Sequence, residues 1–77
     1  MIVNELKIKY HCGHFDSVFI FNDELNNGFT LAFCRGNKYD YVETHRGHTK
    51  IYKSFNALNA DYHKITNRYL KSRRIQT

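Results

Sequence analysis

The sequence predicts an α+β domain: a three- or four-stranded antiparallel β-meander with one C-terminal α-helix packed on one face. Three observations carry this expectation. Between Leu6 and Thr44, short runs of extended pattern are separated by Gly-, Asn- and Asp-containing turns. After Ser54 the period changes, and Phe55, Leu58, Tyr62, Ile65 and Tyr69 fall at spacings of 3 and 4, one stripe of an α-helix. The chain has 77 residues, enough for one core and not for a second. A chain this short buries only ~60% of its unfolded surface, so it leans on large side chains. It holds six Phe and six Tyr, the residues that bury the most apolar area each.

Taken in order, Leu6-Lys7-Ile8-Lys9-Tyr10-His11 alternates apolar and polar, the pattern of a half-buried strand, with Cys12–Asp16 as its turn. Ser17–Phe21 is apolar at both parities and is expected to be central, or covered on both faces. Asn22–Gly28 is a polar connection, a helical turn closed by Gly28. Phe29–Cys34 is a third strand, and Arg35-Gly36-Asn37-Lys38 has hairpin chemistry, since Gly and Asn accept positive φ. Tyr39–Thr44 is a fourth strand suited to an edge, followed by a turn at His45–His48 and a short extended piece at Lys50–Tyr52. Ser54 is placed to cap a helix running from about Phe55 to Leu70. The chain thus divides into a β-rich part over 2–53, a helix over about 55–70 and a basic tail over 71–77, in one domain spanning 1–77.

Charge is distributed unevenly. Residues 1–61 carry seven Lys/Arg and seven Asp/Glu. Residues 62–77 carry Lys64, Arg68, Lys71, Arg73 and Arg74 and no acid, so the net charge of +5 sits there. A one-signed segment on a neutral body points to an acidic partner: nucleic acid or a nucleoprotein complex first, an acidic protein surface next. Lys64, Arg68 and Lys71 would share one helix face, with Arg73 and Arg74 following. Cations near a helix C-terminus are also favoured by the macrodipole, which accounts for part of the pattern. Asn59, His63 and Asn67 are polar neighbours of that face. No helix-turn-helix, zinc-finger or RNA-recognition signature accompanies it.

A second candidate surface follows from the fold. One helix covers one sheet face, and the aromatic content implies that the other face is not fully polar. Phe19 and Tyr41 are the candidate residues there, for a partner protein or a homodimer. The pattern His-x-Gly-His occurs twice, at His11–His14 and His45–His48, and with Cys12 and Cys34 it raises a metal reading. The paired Cys spacings of zinc modules are absent, and turns after the first and fourth strands of a meander lie at opposite ends, so no metal is expected. Catalysis is not expected either. The carboxylates are scattered, and neither cysteine has a histidine whose orientation as a base is implied by sequence. No phosphate-binding glycine loop is present, and no cofactor is implied. No apolar run reaches 18 residues, and Met1–Glu5 lacks a signal-peptide pattern, so the expected setting is the cytoplasm, without a membrane and with free thiols at Cys12 and Cys34.

The run Lys50-Ile51-Tyr52-Lys53-Ser54-Phe55-Asn56-Ala57-Leu58 resembles a pattern in short proteins of phages and plasmids, where a final strand leads directly into a helix. With the chain's size and meander-plus-helix plan, it resembles anti-CRISPR proteins and similar phage-borne inhibitors. The likeness covers nine residues and lends no functional residue to any position. It implies a mode of action, a small rigid body that occludes a nucleic-acid site on a larger machine in a host cytoplasm. Many such inhibitors are acidic and mimic DNA, whereas this chain is basic. The expectation is therefore a non-enzymatic binding protein acting through its basic end. The alternative is a protein-interaction or homodimerisation module acting through an aromatic sheet face, and a zinc-stabilised domain ranks third.

Overall fold

The computed structural model describes residues 1–70. Its elements, in chain order, are α1 (Val3–His11), β1 (Ser17–Asp23), β2 (Gly28–Arg35), β3 (Lys38–Tyr41) and α2 (Phe55–Thr66). The three strands form one antiparallel sheet in the order β1-β2-β3, a meander, and α2 packs across it. The α+β plan read from the pattern is therefore correct, with three strands and a second helix.

That second helix corrects the reading of Leu6–His11 as a strand, and with it the β-rich assignment of 2–53. The alternation Leu6, Ile8, Tyr10 suggested a strand, but Ile8 is 67% exposed while Leu6 is fully buried. The working spacing is Val3, Leu6, Tyr10, a helical stripe, and all three side chains join the core. Glu5 Oε1 accepts a hydrogen bond from the Ile2 amide at 3.1 Å, closing the first turn. At the other end Gly13 takes φ +74°, with Gly13 N–H donating to Tyr10 O and His14 N–H to Lys9 O, a Schellman motif.

β1 and β2 pair from Ser17↔Cys34 to Asp23↔Gly28. β1 is an edge strand rather than central; it is apolar at both parities because the core lies below it and a layer of rings above. The connection is a hairpin loop, not a helical turn. Asp23 accepts from the Asn26 amide and side chain at 3.1 and 2.9 Å, and Asn27, at φ 53°, takes the left-handed position expected of Gly28. The β2–β3 turn is the anticipated one: Arg35↔Lys38 close it and Gly36 has φ +59°. β3 ends at Tyr41, short of Thr44. The chain then forms a narrow loop held by Thr44 N–H to His48 O and Lys50 N–H to Val42 O, and returns to the sheet through a two-way Tyr52–Phe29 bridge at 2.8 Å in each direction.

Both helices lie on the sheet face that carries Ile20, Leu31 and Phe33. Leu6, Val42, Tyr52, Leu58 and Ile65 complete the buried cluster, and the Phe33 and Tyr62 rings stack within it. Ser54 caps α2 as expected, accepting from the Ala57 amide at 3.2 Å. The helix ends at Thr66 rather than Leu70. Asn67 adopts φ 62°, and the Thr66 hydroxyl donates to Tyr62 O and accepts from the Arg68 amide. The chain then doubles back. Leu70 N–H donates to Asn59 Oδ1 at 2.8 Å, and Tyr69, the last residue of the expected stripe, leaves the core at 63% exposure and stacks on His63.

Candidate binding surfaces

In a strand successive side chains alternate between faces, so Phe19 and Phe21 share the face opposite the helices. The β2–β3 register places Tyr39 beside Cys34 and Tyr41 beside Ala32 on that same face. The four rings touch. Phe19 stacks on Tyr39 with centroids 5.9 Å apart, Phe21 lies 5.9 Å from Tyr39 and 6.1 Å from Tyr41, and Phe19 lies 6.1 Å from Phe21. They bridge from β1 to β3 across the middle strand because β2 presents only small side chains there. Thr30, Ala32 and Cys34 are buried beneath them, and burial pushes the Cys34 thiol pKa up. None of the four rings belongs to the core on the helical side. Both sequence candidates, Phe19 and Tyr41, are in this layer. Phe21 and Tyr39 were missed, although the i, i+2 spacing from Phe19 and the Gly36 hairpin register were sufficient to find them.

Beside the rings lies a groove of about 770 Å³, walled by Phe21, Tyr41, Ile51 and Leu25 and rimmed by Asp23 and Glu24. Leu25 is 98% exposed at the tip of the β1–β2 loop. The charged side chains lining this groove are both acidic. Hydrogen bonds from the Asn26 side chain and amide hold the Asp23 carboxyl below the usual carboxylate range, so its charge persists in mildly acidic solution.

Of the five basic candidates, Lys64 and Arg68 lie among the described residues, and they do not share a helix. Lys64 is on α2, but its ammonium is 3.7 Å from Asp61. Arg68 lies beyond the helix, so the pair is not at i, i+4 on one helical face. Lys71, Arg73 and Arg74 lie outside the described residues, and Leu70, the last described residue, sits beside Asn59 in the middle of α2.

Asp61 anchors a polar junction that the sequence reading did not isolate. Its Oδ2 accepts from Lys50 Nζ at 2.6 Å and from the Tyr52 hydroxyl at 2.7 Å, with the residue only 5% exposed. Burial alone would raise the carboxyl pKa. The hydrogen bonds from Lys50 and Tyr52, with the charges of Lys50 and Lys64, outweigh it and hold the pKa below its usual value. Burial, then the neighbouring carboxylate, push the Tyr52 phenol far up, so it remains a donor. The junction ties α2 to the segment entering it.

Among the described residues, no group of three His, Cys, Asp or Glu is placed to share a metal ion. The His-x-Gly-His echo has a backbone cause: Gly13 and Gly47 both take positive φ, one ending α1 and the other turning the 43–49 loop. His14 Nδ1 accepts from Arg35 Nη1 at 3.2 Å, and His11 packs edge-on to Tyr10. Both cysteines are free thiols, Cys12 exposed and Cys34 buried. No helix among the described residues is long and apolar enough to cross a membrane. The chain matches no protein-family model, no curated protein and no solved structure.

Proposed function

We propose that this chain is a non-enzymatic protein-interaction module whose contact surface is the ring layer Phe19, Phe21, Tyr39 and Tyr41. The observation that carries this reading is that the four rings touch one another on the sheet face opposite both helices. Aromatic side chains are enriched at interfaces because each brings a large apolar area at little entropic cost, and rings resting on a rigid strand are already in place before binding. The acidic rim at Asp23 and Glu24 selects a partner whose apolar patch is flanked by Lys or Arg, and it disfavours a phosphate backbone. The mode of action implied by the resemblance to anti-CRISPR-type inhibitors, occlusion of a site on a larger nucleoprotein machine, suits a surface of this kind.

The double variant Phe19→Ala/Tyr41→Ala is expected to weaken partner binding by at least about 30-fold, the loss of ~2 kcal/mol typical of an interface hot spot. The check is affinity measurement against the partner isolated with the wild-type chain, with circular dichroism to show that the variant is folded. Binding unchanged in a folded double variant would refute the ring surface.

A second reading keeps the basic end as the contact, for an acidic partner such as nucleic acid, because residues 62–77 hold five cations and no acid. On that reading, three phosphate contacts would make affinity fall about 40-fold between 50 and 200 mM salt, through counterion release. Charge reversal at Lys64 and Arg68 would remove binding that the ring variant leaves intact. Binding indifferent to salt rules this reading out.

A further inference from the structure

β1 has an outer edge that no other strand covers among the described residues. β1 pairs with β2 alone. The direction of its backbone groups follows from β2. Phe29 exchanges both of its backbone hydrogen bonds with Tyr52, and Leu31 O accepts from Val42 N–H, so these β2 residues turn away from β1. Their register partners, Asn22 and Ile20, therefore do not exchange hydrogen bonds with β2, and by alternation neither does Val18. The N–H and C=O groups of Val18, Ile20 and Asn22 point outward from the sheet. Among the described residues, no hydrogen bond from elsewhere in the chain reaches them.

Soluble proteins usually blunt such an edge with Lys, Pro or a bulge. This one has none of the three: Ser17-Val18-Phe19-Ile20-Phe21-Asn22 is uncharged, contains no proline and pairs with β2 without a break in register. About Ile20 the strand carries a Phe on either side, Phe19 and Phe21, while the outer pairs Val18/Asn22 and Ser17/Asp23 differ. We propose that a second copy of this chain pairs antiparallel along β1, with the two-fold axis at Ile20. In that register Val18 lies opposite Asn22 of the second copy and Ile20 opposite Ile20, and all six outward groups of each strand are used. Phe19 falls opposite Phe21 in the close, non-hydrogen-bonded pairing that favours ring contact. Asp23 falls opposite the Ser17 hydroxyl, so no like charges meet within residues 17–23, and Asp16 comes opposite Glu24 of the second copy just beyond each end. Moving the centre to Asn22 sets Asp23 against Phe21, and moving it to Val18 sets Asp16 against Ile20. Ile20 is thus the centre that keeps carboxylates off the apolar positions. The product is a six-stranded sheet whose two ring layers run together. This pairing uses the sheet edge and does not depend on what binds the ring layer.

The experiment is sedimentation of the full chain across concentration, up to roughly 100 µM, a range that captures micromolar association. The expected result is a species of twice the 9.2 kDa chain mass. Asn22→Pro removes one outward N–H per copy and leaves the β1–β2 ladder intact, because that group faces away from β2. It is expected to weaken dimerisation about 30-fold through the two lost hydrogen bonds. Register is tested independently by Ser17→Cys/Asp23→Cys in a Cys12→Ser/Cys34→Ala background, because Cys34 is the β2 neighbour of residue 17 and would otherwise take its thiol within one chain. The two thiols sit at opposite ends of one strand, so oxidation links them only between copies, and neither single cysteine variant cross-links. A monomer throughout the concentration range overturns the proposal, as does a dimer that withstands Asn22→Pro and fails to cross-link. If Asn22→Pro does not fold, the cross-linking result decides.

Discussion

Asp61→Ala is expected to lower the stability of this domain by about 2 kcal/mol, the cost of leaving a buried hydrogen-bonding group without its partner. The substitution removes the acceptor shared by Lys50 and Tyr52, at 2.6 and 2.7 Å, and leaves a buried phenol with no partner. Tyr52 is 2% exposed, so water does not readily replace the lost carboxylate. For a domain of this size the loss corresponds to a fall in Tm of roughly 8–16 °C. The same carboxylate sets an acid limit. Its pKa in the folded chain lies below the unfolded value of ~3.9, so its stabilisation is complete above about pH 4 and is lost as the pH falls through the folded value. Thermal unfolding followed by circular dichroism at pH 7 and pH 3 reads both effects. The wild-type chain should lose more stability on acidification than Asp61→Asn, which has no charge to titrate there. A loss below about 1 kcal/mol for Asp61→Ala would mean that the junction is no better than the typical exposed ion pair.

Gly28→Ala is expected to cost about 2–3 kcal/mol, near the upper range for overpacking. The backbone at Gly28 does not need a glycine for its φ; what it needs is room. A methyl group would stand 2.6 Å from Tyr52 O and 2.7 Å from Ile51 Cγ2. Tyr52 O is also the acceptor for the Phe29 amide, so relieving the clash opens the bridge that brings the 50–54 segment onto β2. That bridge positions Tyr52 for Asp61. The two substitutions therefore act on one junction, and the double variant should lose less than the sum of the single losses. Urea unfolding of the four proteins tests this; full additivity would show that the bridge and the carboxylate act separately.

The layout of the candidate surfaces depends on the same junction. It holds α2 and the 43–52 segment against the face of Ile20, Leu31 and Phe33, which leaves the opposite face to the rings. Variants of the ring layer should therefore be read for binding, and variants of the junction for folding. Phe19 and Tyr41 sit on half-buried positions outside the main core, and their truncation is compatible with a folded chain.

The sequence by itself determined the elements whose cause is local. The 3–4 spacing from Phe55 to Ile65 and the Ser54 hydroxyl specify α2 and its start. Gly36 specifies the β2–β3 turn, and the apolar runs at Ser17–Phe21 and Phe29–Cys34 specify two strands. Tertiary structure decided the rest. Leu6–Tyr10 satisfies both a strand and a helix pattern, and burial of Val3 and Leu6 against α2 chose the helix. α2 stops at Thr66 because Asn67 takes a left-handed turn and Asn59 captures Leu70, a contact eleven residues apart that the 3–4 spacing does not reveal; this takes Arg68 off the helix that spacing alone extended to Leu70. The ring layer needed both: alternation put Phe19 and Phe21 on one face, but only the two helices docking together on the opposite face left that layer outside the core among the described residues.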